Sequence, residues 1–377
     1  MLLKPFPDPF ETAAREADRI RADPHFELEA PLERVLGDAP GMDREALIEG
    51  TLRLHRERME RVPDAVKFPE SPPWVAFIRA TDRHLREMTG IDEAALALRR
   101  SLGAFVAFRA REAVPPRFAS EKCRAIFIPD SDHGAIIVKN LDDPSTYWKA
   151  RPPLTGMPYG PIGFEGVGSG LHFDDEPGEI FPLAPCEMLF HYCDNVPGAV
   201  DFLRRYTPFW GRANLMLFDA QKRSASIEKC SFNFFEVFEP DPLGRSIVSG
   251  MTCRDPGSPQ ARHQAAMRHL AVQTSGRDPA DSPDEEFWTV CDRLHSKLRD
   301  AVASWGPNVR LDEVIRLFTT PYPDGLNKQN VQLHPEQPVD MWTLATTLTL
   351  PDERRVLRWQ RMEGTMEWPA TPEEYRF

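Results

Sequence analysis

The order of hydrophobic and polar positions changes along the chain, and roughly the first 113 residues have a helical pattern. Apolar residues recur at helical spacing among charged ones. This spacing predicts helices over Met42–Val62, Trp74–Thr89 and Ile91–Glu112. Asp43 and Asp92 stand where side-chain caps are expected at two of these helix starts.

The pattern then changes to short apolar runs after Pro115-Pro116, which ends the helical region because proline cannot continue a helix. Strands are predicted, in order, over Cys123–Ile128, Ala135–Val138, Gly163–Phe173, Asn214–Phe218, Ser226–Phe232 and Phe234–Phe238. Further helices are predicted over Ala199–Tyr206, Ser258–Thr274, Asp284–Trp305 and Leu311–Phe318. The chain ends in a predicted hairpin of Met341–Leu350 and Arg355–Trp359. This order of helices, strands, helices and strands favours an α+β fold over a regular βαβ alternation.

The composition is that of a globular protein with a sizeable core, because 41% of its 377 residues are hydrophobic and 28% are charged. Acidic residues outnumber basic ones, 58 to 46. This balance argues against nucleic acid as a partner, since phosphate contacts need clustered Lys and Arg. No apolar run approaches the roughly 20 residues of a membrane helix, and the N-terminus has no signal-peptide core. We therefore expect a cytoplasmic protein that does not bind membranes.

The six cysteines are scattered, and none forms a C-x-x-C pair. Their positions favour neither a zinc ribbon nor a disulfide framework. We expect no metal and no cofactor, and we interpret five of the six as core or incidental thiols: Cys186, Cys193, Cys230, Cys253 and Cys291.

The remaining cysteine, Cys123, opens the first predicted strand of the region richest in candidate chemistry. Lys139, Asn140 and Asp142 follow at the end of the partner strand, one hairpin later. Folding the two strands back on each other brings the second strand's end towards the first strand's start, so we expect the thiol and these groups to be neighbours. A cation near a cysteine increases the reactive thiolate fraction at neutral pH, which makes Cys123 a candidate nucleophile.

This arrangement resembles the N-terminal-nucleophile hydrolases, and within them the penicillin acyltransferase family related to bile-salt hydrolases. In that family a cysteine freed by self-cleavage begins a strand, and a stretch similar to Val138-Lys-Asn-Leu-Asp-Asp143 follows. The resemblance continues through Gly166–Leu171, through Asn214–Asp219 with Ile227-Glu228, and through Thr343–Leu357. It covers residues 120 to 370 approximately.

The resemblance implies a four-layer αββα sandwich over residues 123–377, preceded by a helical region over 1–122 that is a propeptide or small chain. It also implies acyl transfer through a thioester on Cys123, after cleavage at Lys122-Cys123. Asp142 would orient the α-amine of the freed cysteine, and Lys139 stands where many members have Arg. The expected reaction is hydrolysis or transfer at a small-molecule or peptide-like amide, with an acyl donor such as an acyl-coenzyme A as the partner.

Two alternatives remain open from the residues. The asparagines that help to stabilise the oxyanion in the family are missing from Gly168–Leu171 and Ser249–Thr252, which favours a scaffold that kept the fold and lost the chemistry. Alternatively, His172 and Asp174 form an H-x-D pattern that His263 could complete as a non-haem iron oxygenase site. The sequence gives neither the acyl group nor the oligomeric state.

Overall fold

The computed structural model describes part of the chain. The described residues are 8–22, 43–61, 74–98, 123–144, 162–168, 189, 193–206, 213–230, 234–249, 283–329, 331–332, 340–362 and 364–376. They divide between two compact units, which are described separately below.

The first unit contains the N-terminal helices α1 (Pro9–Ala22), α2 (Arg44–Arg61) and α3 (Trp74–Thr89). The predicted caps are confirmed, because Asp43 Oδ1 accepts from Ala46 N at 2.7 Å and Asp92 Oδ1 accepts from Ala95 N at 2.8 Å. Helices α1 and α3 pack through the fully buried side chains of Ala13, Ala17 and Leu85, and Leu96 of the helical segment 93–98 packs against them.

Both sheets lie in the second unit, and every strand pairing in them is antiparallel. The seven-stranded sheet has the order β11-β10-β9-β2-β1-β7, with β8 beside β9, and the four-stranded sheet has the order β3-β4-β5-β6. The strands are β1 (Arg124–Ile128), β2 (Ile136–Pro144), β3 (Ile162–Gly168), β4 (Ala213–Asp219), β5 (Ser224–Cys230), β6 (Phe234–Phe238), β7 (Ser246–Ser249), β8 (Val331–Gln332), β9 (Asp340–Leu350), β10 (Arg355–Gln360) and β11 (Glu373–Arg376). The described residues also form α5 (Pro283–Ser304) and α6 (Leu311–Thr319) in the second unit, and α4 (Val196–Tyr206), which is divided between the two units.

Strand β1 is buried on both faces and therefore separates two layers of core. Ile126 and Ile128 pack with aliphatic residues of α5 and α6. Ala125 and Phe127 point the opposite way, because side chains alternate along a strand, and they pack with Met216 and Phe218 of β4. The Phe127 and Phe218 rings stack with centroids 5.3 Å apart. In the second unit, α5 and α6 pack on one face of the large sheet and the small sheet packs on the other, and the predicted fourth layer stays a prediction.

Strand β7 of the large sheet is connected to β4 and β5 of the small sheet by side-chain hydrogen bonds. Asn214 Nδ2 donates to Ser249 O at 2.6 Å, and Ser226 Oγ donates to Ile247 O at 2.8 Å. The Ser224 and Ser246 hydroxyls lie 2.8 Å apart. These bonds satisfy polar side chains that are buried where β7 meets the small sheet.

The α+β class and the predicted strand hairpins are confirmed, and the differences concern three short strands and the length of β2. The sequence prediction missed β7, β8 and β11, which carry weak patterns because they are four residues or fewer. Strand β2 continues to Pro144, beyond the predicted end at Val138, because its polar second half pairs with β9. The helix predicted over Ser258–Thr274 lies outside the described residues, as does most of Ile91–Glu112, of which 93–98 is helical.

Candidate active site

Cys123 directly precedes β1 at one end of the layer between the two sheets. Its side chain is 2% exposed and belongs to the same cluster as Ala125, Phe127 and Met216. Its main chain continues into β1, an interior strand of the large sheet with β2 on one side and the edge strand β7 on the other. The thiol is therefore held in the inter-sheet layer by a strand that is hydrogen-bonded on both sides.

Lys139 lies on the same face of the large sheet as the thiol. It pairs with Ala125 across β1 and β2, and directly opposite residues of an antiparallel pair point to the same side. Leu141, two residues further along β2, packs against the Cys123 cluster. The predicted proximity of the Cys123 and Lys139 side chains is thus consistent with the register, with Lys139 diagonal to the thiol.

Asp142 lies on the other face of the large sheet, towards the helices. Its side chain is fully buried, and Oδ2 accepts from Arg124 Nη1 at 2.6 Å and lies 3.1 Å from Lys328 Nζ. Oδ1 accepts the hydroxyl hydrogen of Thr343 at 2.7 Å. The carboxylate thus faces two buried cations and a hydroxyl donor, which together offset the cost of removing its charge from water.

Asp142 and Cys123 lie close together in the hairpin but differ in the direction of their side chains. The thiol points into the inter-sheet layer, away from the carboxylate, whereas the main-chain nitrogen of Cys123 lies in the plane of the sheet. If the pairing of Arg124 with Asn140 is continued by one residue, Cys123 comes opposite Leu141. Cys123 and Asp142 therefore present their side chains to opposite faces of the large sheet.

Asn140 has a structural role in the hairpin. It is fully buried and donates through Nδ2 to Phe318 O and Leu326 O at 3.3 and 3.2 Å, while Oδ1 accepts from Thr346 Oγ1 at 2.7 Å. These bonds tie β2 to the end of α6 and to the loop that follows it. That loop carries Lys328, so Asn140 helps to fix the lysine beside Asp142.

Arg361 directly follows β10 and contacts the main chain of two neighbours of Asp142, namely Thr343 and Lys328. Its guanidinium lies between the rings of Trp342 and Trp368, with centroids 4.7 and 5.0 Å away. Nε donates to Thr343 O and Nη1 to Met366 O, at 2.9 and 2.7 Å. Burial lowers the pKa of Arg361 to about 10, although the charge of Asp142 acts in the opposite direction.

The sequence reasoning missed Arg124, Lys328 and Arg361 as neighbours of Asp142. A partner for Arg124 could have been predicted from the sequence, because a charged residue inside the apolar run Cys123–Ile128 must be paired when the strand is buried. No sequence pattern indicates that Lys328 contacts Asp142, since it lies in a loop about 190 residues away in the chain. Its contact depends on the tertiary course of that loop.

The oxygenase alternative is not tested, since His172, Asp174 and His263 lie outside the described residues. Within the described ranges, no group of three or more His, Cys, Asp or Glu side chains could hold a metal ion. No helix among the described residues is both long and apolar enough to cross a membrane. A groove of about 750 Å³ on α5 and α6 is lined by residues that do not include Cys123, Lys139 or Asp142.

Comparison with known proteins gives structural neighbours but no family assignment. No protein-family model and no curated protein matches the sequence. A cysteine-to-alanine mutant of the conjugated bile acid hydrolase from Clostridium perfringens aligns with TM-score 0.37 and 10% identity, over 68% of this chain and 97% of the hydrolase. An arginine-to-leucine variant of that hydrolase gives 0.32 and 11%, over 69% and 90%.

The penicillin V acylase from Agrobacterium tumefaciens aligns with TM-score 0.35 and 14% identity, over 67% of this chain and 84% of the acylase. Bile-salt hydrolases were among the relatives that the sequence resemblance named, whereas none of these three neighbours is an acyltransferase. With TM-scores below 0.5, the alignments carry no argument about the chemistry of this chain.

Proposed function

We propose that the chain is a cysteine-dependent amide hydrolase or acyltransferase in which Cys123 forms the acyl-enzyme. The observation that carries the proposal is the placement of three groups around the start of β1. The Cys123 thiol is buried in the inter-sheet layer, and Lys139 shares its face of the sheet. Asp142, on the opposite face, is held by Arg124 and Lys328.

The proposed reaction has two steps. The sulfur of Cys123 forms a bond to the carbonyl carbon of the amide, the C–N bond breaks, and the leaving amine takes the proton that the thiol gave up. Water or an acceptor amine then attacks the thioester, which releases the carboxylic acid or the new amide and restores the thiol. Lys139 would stabilise the thiolate by its charge.

Asp142 has a proposed role only if the main-chain nitrogen of Cys123 becomes a free amine. Scission of the Lys122-Cys123 bond would produce that amine, which could take the thiol proton as a general base. Because the side chain of Cys123 is 2% exposed in the intact chain, we place this scission before acyl transfer. The substrates would be small-molecule or peptide-like amides, with an acyl-coenzyme A as a further acyl donor.

Two measurements test the proposal. Intact-mass spectrometry of the purified protein should find a fragment that begins at Cys123. Stopped-flow mixing with 4-nitrophenyl acetate should give a burst of 4-nitrophenolate, equal in amount to the cleaved protein, and the Cys123→Ala variant should show none. A wild-type protein without a burst above that of Cys123→Ala refutes the proposal.

A scaffold without activity is the second candidate, and the missing family asparagines support it. It predicts an intact chain and no burst above that of Cys123→Ala. The same two measurements therefore separate the two candidates.

A further inference from the structure

Two buried arginines near Asp142 differ in how their donors are used. Arg361 is 2% exposed, and its three nitrogens all donate, with Nη2 reaching Asn327 Oδ1 at 2.9 Å and Lys328 O at 3.2 Å. Arg124 is fully buried, and within the described part of the chain its Nη1 donates to Asp142 whereas its Nε and Nη2 have no acceptor. The fold thus satisfies one guanidinium and leaves two donor groups of the other unmet.

An unmet buried donor costs stability, because it loses its hydrogen bonds to water and gains none. A methionine has a similar length and would avoid that cost at position 124. Asp142 would keep a partner on each carboxylate oxygen after this substitution, because Lys328 Nζ contacts Oδ2 and the Thr343 hydroxyl donates to Oδ1. Stability of the fold therefore does not account for the arginine.

Arg124 holds a positive charge beside one carboxylate oxygen of Asp142. Its Nη1 lies 2.6 Å from Oδ2, a short charge-assisted contact, and both side chains are fully buried. Arg124 is also joined to Cys123 by a peptide bond, so the side chain that holds the carboxylate belongs to the residue next to the thiol. The guanidinium ties the position of Asp142 to the start of β1.

We propose that Arg124 is a positioning residue of the reaction, which holds Asp142 at the start of β1 and is not required for folding. This inference rests on the proposed function. Loss of Arg124 should leave the protein as stable as before and slow the acylation of Cys123. A purely structural arginine would behave in the opposite way.

The test compares Arg124→Met, Arg124→Lys and the matched control Arg361→Met. We expect Arg124→Met to melt within about 2 °C of the wild type or above it, and Arg361→Met to melt at least about 4 °C below it. With 4-nitrophenyl acetate, the burst rate constant of Arg124→Met should fall about tenfold or more at saturating probe. The half-saturating concentration should stay unchanged, and Arg124→Lys should recover part of the rate.

Three outcomes overturn the inference. The first is a melting temperature of Arg124→Met as low as that of Arg361→Met. The second is an unchanged burst rate in Arg124→Met, and the third is an Arg124→Lys variant as slow as Arg124→Met. If the wild type gives no burst above Cys123→Ala, the proposed function itself fails and this inference falls with it, which the wild-type trace shows before any variant is compared.

Discussion

Thr343 reaches Asp142 because strand β9 carries one more residue than β2 at this point. Leu141 pairs with Ala345 and Asp142 pairs with Thr343, so Leu344 has no partner of its own in the register. A bulge of this kind turns the following side chains to the other face of the sheet. Thr343 therefore points with Asp142 towards the helices, where its hydroxyl donates to Oδ1 and accepts from Lys328 N at 2.8 Å.

Replacing Thr343 with Val should destabilise the protein by about 1–3 kcal/mol. The substitution keeps the shape of the side chain but removes the hydroxyl, which leaves Asp142 Oδ1 without this donor and Lys328 N without this acceptor, both buried. Urea denaturation of the two proteins gives the difference. Thr319→Val is the matched control, because the Thr319 hydroxyl donates only within its own helix, to Ile315 O, and lies at a part-buried position. Equal losses in the two variants would contradict the prediction.

The turn between β1 and β2 also leaves no room for a side chain. Gly134 has a φ of +79°, and a Cβ built there would lie 2.1 Å from Asp352 Oδ2. That carboxylate accepts from Ala135 N at 2.9 Å and lies 3.1 Å from Lys222 Nζ, so it cannot move away without losing both contacts.

Gly134→Ala should therefore cost about 2 kcal/mol or more, from the left-handed backbone and the collision together. Thermal denaturation measures the loss. Gly306→Ala is the control, since nothing lies within 4 Å of its Cβ position and its φ is not in the left-handed region. A Gly134→Ala protein as stable as Gly306→Ala would show that the turn can rearrange.

The sequence predicted most of the large sheet because its central strands have strong patterns and short connections. Cys123–Ile128 and Ala135–Val138 are apolar runs on either side of a turn, and the hairpin across Pro351–Arg354 has the same character. The register follows from those turns. It places Lys139 on the face of Cys123, as expected from the hairpin alone.

The surroundings of Asp142 could not be predicted in the same way. The alternation along β2 puts Asp142 on the face opposite Lys139, but the identity of its partners depends on a bulge in β9 and on the loop that carries Lys328. A bulge has no pattern in a strand such as Asp340–Leu350, where threonine and leucine fit either face. The contact with Arg124 could have been inferred from strand pairing, since Arg124 lies opposite Asn140.

The turn between β9 and β10 carries a pH-dependent contribution to stability. The side chain of His133 contacts the Glu353 carboxylate, and Arg355 Nη1 lies 3.2 Å from it. These two partners, His133 first, lower the pKa of Glu353 below its usual value of 4.5. A carboxyl group whose pKa is lower in the folded state than in the unfolded state stabilises the protein at pH values above its unfolded-state pKa. This contribution disappears as the pH falls through the folded-state pKa.

Glu353→Gln should therefore be less stable than the wild type at pH 6, by less than about 1 kcal/mol because the group is a third exposed. The difference should shrink as the pH falls below about 4.5 and vanish in stronger acid. Urea titrations at several pH values measure it, and 0.5 M NaCl should reduce it at about pH 6. A difference that grows towards low pH would contradict the sign of this contribution.

The charge of Lys139 should matter for acylation of Cys123 more than its bulk. Lys139→Gln keeps a polar side chain on the face of the thiol but removes the cation that favours the thiolate, so the burst rate constant with 4-nitrophenyl acetate should fall about tenfold. Lys139→Arg keeps the charge and should retain most of the rate. Lys222→Gln is the control, because Lys222 lies in the β4–β5 turn and contacts Asp352. If Lys139→Gln acylates as fast as Lys222→Gln, Lys139 has no part in activating the thiol, and the nucleophile of the proposed reaction depends on the amine of Cys123 alone.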